Sequence, residues 1–242
     1  MKEMHFELKN KTSIELQQES LKNFNVKIVD MGNACYIDHH FHDFISTRYY
    51  RAPEVIMGGT YDEKADIWSF ACMIFEMVTS DILFRPKAKD KGGSKEEDHI
   101  LLIQSYIGDC NDKEFLLTCN KAGKHFKLQG DKLTLVGKKK PKKCLKNVFF
   151  DKYHMKEPES EYLAKMLLRC LTWNPKDRIS AKDLLNDPWF KMPQDYNVIV
   201  QPQYYFETMM IRDPTFIPME KKGKHKSESY ESDVNPAWEE DK

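Results

Sequence analysis

The 242-residue sequence contains no run of roughly 18 consecutive apolar residues, so no segment reads as a membrane-spanning helix. Its opening, MKEMHFELKN, lacks the apolar core of a secretory signal. The six cysteines (Cys35, Cys72, Cys110, Cys119, Cys144 and Cys170) include no C-x-x-C pair and match no histidine at metal-ligand spacing. That pattern argues against a zinc module and for a reduced, intracellular chain. Excess charge is absent too: Lys plus Arg and Asp plus Glu number 38 each, which leaves no electrostatic footprint for nucleic acid or an anionic membrane. Neither is expected as a direct partner. No internal repeat is visible.

What the chain does have is material for a core, with 40% hydrophobic residues and 12% aromatics. Residues 1–22 are polar and rich in Lys, Glu and Gln, as in a linker. Val26-Lys27-Ile28-Val29 is a short β-branched run that predicts a strand entering a loop at Asp30 and Gly32. From Asp66 to Val78 the residues are apolar nearly all round a helical wheel, which predicts a helix buried on most sides. Further helices are predicted over Asp98–Ile107, over Ser160–Leu171 with Ser160 as N-cap, and over Ser180–Leu185, with Pro188-Trp189 closing the set. Residues 108–155 carry weak periodicity and the run Lys138-Lys139-Lys140-Pro141-Lys142-Lys143. That run reads either as a nuclear import signal or as a solvated insert loop. Asp38, His39, His40 and His42 sit in a loop without rigid geometry and are assigned no zinc. Cys72 and Cys170 fall on buried helix faces and read as small core residues.

Four motifs recur in a fixed order: Asp30-Met31-Gly32, then Thr47-Arg48-Tyr49-Tyr50-Arg51-Ala52-Pro53-Glu54, then Asp66-Ile67-Trp68-Ser69, then Asn174-Pro175-Lys176-Asp177-Arg178. A lone D-x-G is usually an ordinary turn, but the ordered set resembles the protein-kinase signature from the metal-binding motif to the end of the large lobe. The resemblance implies a mainly α fold: a kinase C-lobe without the N-lobe, with 23–192 as a partial kinase domain and 193–242 as an extension packing on it.

By that resemblance Asp30 ligates Mg²⁺ beside ATP, Gly32 lets the backbone turn, and Met31 packs where the family usually has Phe. Thr47 positions the active site next to the phosphoacceptor; modification of Ser46 or Thr47 is the alternative. Arg51 is the arginine that cyclin-dependent, MAP and DYRK kinases place before Ala-Pro-Glu. Glu54 and Arg178 form a buried ion pair, Asp66 accepts hydrogen bonds from the catalytic loop, and Trp68 fills the core beside it.

Within that group Val26–Cys35, Ala65–Met73, Glu97–Ile100 and the tail residues Ser232-Asp233-Val234 and Trp238-Glu239-Glu240 resemble SR-protein kinases, while Ser46-Thr47-Arg48 with Arg51–Glu54 would also suit CDC-like kinases. SR-protein kinases phosphorylate Arg-Ser-rich splicing factors in cytoplasm and nucleus, docking them in an acidic groove. Asp98 matches a groove acid; a second acid of the family is replaced here by Ser105. A helix-terminal charge is the simpler role for Asp98.

The Gly-rich loop, the strand lysine with its glutamate and the H-R-D catalytic loop have no counterpart in the 242 residues. The N-lobe and hinge normally need on the order of a hundred residues or more, which the stretch before Asp30 cannot supply. Residues 1–22 then read as the remnant of the spacer that divides SR-protein kinases. Two functions follow as alternatives: a serine/threonine kinase domain that needs its N-lobe half as partner, inactive alone, or an inactive C-lobe that docks peptides.

Overall fold

The computed structural model describes residues 26–88, 94–129 and 132–191. The linker read over 1–22, the extension read over 193–242 and the tail motifs Ser232–Val234 and Trp238–Glu240 lie outside these. The chain divides into two compact units, Met1–Phe41 and His42–Lys242, and each is described by itself.

In the first unit the strand expected over Val26–Val29 does not form. The segment is without regular structure and its side chains are exposed. A strand is held by ladder hydrogen bonds to a neighbour, and among the described residues of this unit the backbone pairs only at the isolated bridge Tyr36–His39. Asp30 adopts a left-handed conformation (φ 64°, ψ 59°) and opens a single 3₁₀ turn, Met31–Asn33, closed by the Ala34 N–H on the Met31 carbonyl at 3.0 Å. Aspartate is among the few residues that tolerate that region. Met31, expected to pack, is 65% exposed, because no described residue of this unit is buried for it to pack against.

The second unit is built on helices: α1 (Pro53–Ile56), α2 (Lys64–Thr79), α3 (Lys95–Ile107) and α4 (Lys113–Leu117). An antiparallel hairpin, β1 (Phe126–Gln129) and β2 (Lys132–Leu135), pairs Phe126 with Leu135. There follow α5 (Leu145–Asn147), which runs on into a π-helical turn Val148–Lys152, then α6 (Glu159–Cys170) and α7 (Ala181–Leu184). Fold and expectation agree on a mainly helical unit.

Helix α2 carries the core on one face: Ala65, Ile67, Trp68, Ala71, Cys72, Phe75 and Thr79 are buried, and Trp68 stacks on Phe84 at 5.5 Å. Each large apolar side chain so buried stabilises by about 1.5–3 kcal/mol. The expectation of burial on most sides fails on the opposite face, where Met73 is 43% and Met77 65% exposed. An apolar wheel records what a helix can bury, and no described residue covers this side. Ser80 ends the helix in a left-handed cap (φ 56°), its N–H bonding the Glu76 carbonyl at 2.7 Å.

Side-chain caps set where α3 and α7 begin. Helix α3 starts before Asp98 because the Ser94 hydroxyl accepts the Glu97 N–H at 3.0 Å, the first half of an S-x-x-E box. Ser160 is not an N-cap: the Tyr162 N–H already bonds the Pro158 carbonyl, so the helix begins a residue earlier and Ser160 lies buried inside its first turn. Ser180 does cap α7, accepting the Asp183 N–H at 3.1 Å. Cys72 and Cys170 are buried as expected, and burial raises both thiols, that of Cys170 to about 12.

After α1 the chain turns through Gly58 (φ 66°) and Gly59 and is pinned by the Asn120 N–H on the Gly58 carbonyl and the Lys121 N–H on the Met57 carbonyl. A Cβ on Gly59 would stand 2.7 Å from Cys119 Sγ, inside van der Waals contact. Gly59→Ala is therefore expected to lower the unfolding free energy by about 1–3 kcal/mol. Cys119→Ala in the same chain should recover part of it, because it removes the atom that is struck. Urea denaturation of the two variants checks this; an unchanged midpoint for Gly59→Ala would show that the approach relaxes freely.

Candidate functional site

Asp30 and Gly32 lie in the first unit, both exposed. The turn there is made by Asp30 and not by Gly32: the glycine has no left-handed φ, and a Cβ on it would meet only Asp30 Oδ1 at an ordinary 3.8 Å. The permissive backbone expected of Gly32 is thus unused in this conformation. Asp30 offers one hard oxygen donor, suited to Mg²⁺ in kind. Among the described residues no three His, Cys, Asp or Glu side chains converge as a metal site. This chain's described donors do not by themselves make a Mg-ATP site.

In the second unit, residues 44–51 form a tightly held loop. The Arg51 guanidinium lies over the Phe44 ring at 4.3 Å and donates to the Ile45 carbonyl (2.9 Å) and the Ser46 carbonyl (2.7 Å). Ser46 is left-handed (φ 63°), a conformation that costs a non-glycine residue energy and needs fixing from outside. Arg51 is that fixing. Burial, and secondarily the charge of Arg48, lowers its pKa to about 10, so it stays protonated at neutral pH.

Beside it Arg48 pairs with Glu96 of α3. Tyr50 donates to Glu76 of α2 at 2.5 Å, and this bond with burial raises its pKa to about 12. Thr47 is exposed, its carbonyl accepting the Tyr50 N–H while its hydroxyl caps nothing. The loop thus offers Thr47 outward from a base clamped to two helices.

Glu54, in α1, and Arg178, just past the 3₁₀ turn Pro175–Asp177, meet without any solvent exposure of either side chain. Arg178 Nη1 and Nη2 reach Glu54 Oε1 and Oε2 at 2.8 and 2.9 Å, two parallel charge-assisted bonds. Arg178 also donates to the Lys64 and Thr172 carbonyls at 2.7 and 3.1 Å and lies 5.3 Å from the Trp68 ring centre. Trp68 is fully buried, as expected, but its indole N–H has no partner among the described residues. Asp66, in the first turn of α2, has a carboxylate with no hydrogen bond among them either, and the protein beside it raises its pKa.

Asp98, expected as a groove acid or a helix-terminal charge, is buried. Lys87 N–H donates to its Oδ2 at 3.0 Å and the Lys140 ammonium stands 2.8 Å from its Oδ1. The reason is that residues 138–143 fold back along α3, which the separate sequence positions do not reveal. Ser105, two turns on, is also buried, its hydroxyl spent on the Leu102 carbonyl at 2.7 Å.

In comparison with known proteins, a model of the protein kinase domain family matches residues 4–190. The chain belongs to the serine/threonine protein kinase family. Its relatives include the serine/threonine-protein kinase SRPK of Physarum polycephalum, 38% identical over 164 residues, or 68% of this chain and 38% of that one. Another is the serine/threonine-protein kinase SKY1 of Saccharomyces cerevisiae, 38% identical over 69% of this chain and 22% of the relative. A third is SRSF protein kinase 3 of Mus musculus, 36% identical over 72% and 30%. The kinase chain therefore spans well under half the length of these relatives. The family match begins at residue 4, upstream of the point near residue 23 where the motif likeness starts.

The loop anchors not singled out in the kinase sequence are Glu76 and Glu96, which hold Tyr50 and Arg48, while Lys140, named there only within the lysine run, pairs with Asp98. Only Glu96 carried a local signal, as a first-turn acid behind the Ser94 cap.

Proposed function

We propose that this chain is the large-lobe part of an SR-protein-kinase-like enzyme, which transfers phosphate from Mg-ATP to serines of Arg-Ser-rich proteins when an N-lobe half completes it. The observation that carries the reading is the solvent-free Glu54–Arg178 fork, which ties two motifs 124 residues apart. Residues 23–192 are taken as the kinase portion. In this reading Asp30 is the carboxylate the chain gives to Mg²⁺, and Thr47, held out by the loop that Arg51 clamps, positions the phosphoacceptor side. Asp98 takes the guanidinium of an incoming arginine. Cytoplasm and nucleus are the compartments proposed, by likeness to the family. Among the described residues no helix is long and apolar enough to cross a membrane.

The lack of any Gly-rich loop or H-R-D motif in the 242 residues favours a second reading, a C-lobe that docks peptides without transferring phosphate. Mixing the chain with a polypeptide that carries the N-lobe and catalytic loop of the Physarum relative separates the two. Labelled ATP should then mark an Arg-Ser repeat peptide at least about tenfold faster than a Glu-Ser repeat, a discrimination of about 1.4 kcal/mol. Equal rates would overturn the substrate class. Retained peptide binding with no transfer would favour the docking module.

A further inference from the structure

The lysine run left without a role by the motifs is bound along α3. Gly137 (φ 101°) starts it, and its missing side chain matters: a Cβ there would stand 2.8 Å from Glu97 Oε1 and 3.5 Å from Leu101. Lys139 then pairs with both oxygens of Asp109 at 2.8 Å, and Lys140 with Asp98 Oδ1 at 2.8 Å. The Lys143 N–H bonds the Ser105 carbonyl at 2.7 Å and its ammonium lies 4.8 Å from the Tyr106 ring centre. The segment is thus a basic strap fastened near both ends of one helix.

Its fastenings are unequal. Lys139 and Asp109 are each nearly half exposed, and such pairs contribute little. Asp98 has a side chain only 7% exposed, and a carboxylate that far from water needs a cationic or hydrogen-bonding partner at all times. Lys140, 32% exposed, reaches it from the solvent side.

We propose that the strap Lys138–Lys143 is an internal stand-in for a basic peptide: Lys140 occupies the Oδ1 side of Asp98 until an arginine of an Arg-Ser segment displaces it. This rests on the reading of Asp98 as the arginine-accepting carboxylate. Exchange favours arginine, because a planar guanidinium can engage a carboxylate through two parallel bonds where an ammonium gives one point contact. The strap lowers affinity for every basic peptide by one factor, set by the fraction of molecules in which it is open, so that only segments with several well-paired arginines bind tightly enough to overcome it.

The test titrates a fluorescent (Arg-Ser)₄ peptide into the full 242-residue chain at low salt. Lys140→Ala should bind about 3- to 10-fold more tightly than wild type, the factor by which a mostly closed strap taxes binding. Lys142→Ala removes the same charge from an exposed strap position and should change affinity less than about twofold. Asp98→Asn, which keeps an acceptor for the Lys87 N–H, should weaken binding. In wild type, saturating peptide should also speed amide exchange of residues 139–144, because the Lys143 N–H leaves the Ser105 carbonyl. Equal tightening by Lys140→Ala and Lys142→Ala, or exchange that does not change, overturns the strap while leaving the docking role of Asp98 in place. Binding unaffected by Asp98→Asn, or no binding by either wild type or Lys140→Ala, overturns the docking role and the strap with it.

Discussion

Replacing Arg178 with Leu is expected to cost about 3–5 kcal/mol of folding stability, because it leaves Glu54 as an unpaired charge with no access to water. For a unit of this size that corresponds to a fall of roughly 6–20 °C in Tm. Glu54→Gln should cost less, since Arg178 keeps the Lys64 and Thr172 carbonyls and an amide oxygen can still accept one bond. The double replacement Glu54→Met with Arg178→Leu should recover much of the loss, as apolar groups of similar volume carry no desolvation penalty. Urea denaturation of these three variants and of Glu54→Met alone gives the cycle. A loss below about 1 kcal/mol in both single variants would show that water reaches the pair, and that it does not tie the motifs together as the fork geometry requires.

The second large effect concerns Asp30. The 242-residue chain alone is expected to give no phosphate transfer to an Arg-Ser peptide, and Asp30→Ala should leave that result unchanged. The base and phosphate clamps that supply most of the acceleration have no motif in its sequence. In the enzyme completed with an N-lobe half, Asp30→Ala should lower the rate by at least about 1,000-fold, the scale at which removing a group that manages transition-state charge is felt. Asp30 is exposed in a turn, so the same substitution should lower the unfolding free energy by no more than about 1–2 kcal/mol, the cost of alanine in a left-handed backbone. Transfer by the unsupplemented chain that disappears with Asp30→Ala would overturn the reading that another half is required. A completed enzyme indifferent to Asp30→Ala would remove the metal role from this residue.

Much of the candidate site was legible because motif residues act through their neighbours in sequence or through pairings that the motif order already implies. Arg51 reaches the carbonyls of Ile45 and Ser46, six and five residues back, and Glu54 meets the one arginine that its motif partner supplies. The strand predicted over Val26–Val29 does not form, for the opposite reason. β-branched residues favour a strand only if another strand offers its edge, and that condition is not written in the segment.

The sequence by itself determined the family, the mainly helical character of the second unit, the Glu54–Arg178 pair and the burial of Trp68, Cys72 and Cys170. The helices and buried cysteines follow from local periodicity, and the ion pair and Trp68 from the family resemblance that the ordered motifs carry. Only the tertiary structure decided which face of α2 is covered, that Asp30 and not Gly32 makes the turn, and that Asp98 lies beneath Lys140. The last depends on a hairpin of two four-residue strands and on Gly137, which together return a lysine 42 positions later to the same helix. Charge pairing over such a separation is a matter of where the chain is brought back, and no local pattern of lysines specifies that.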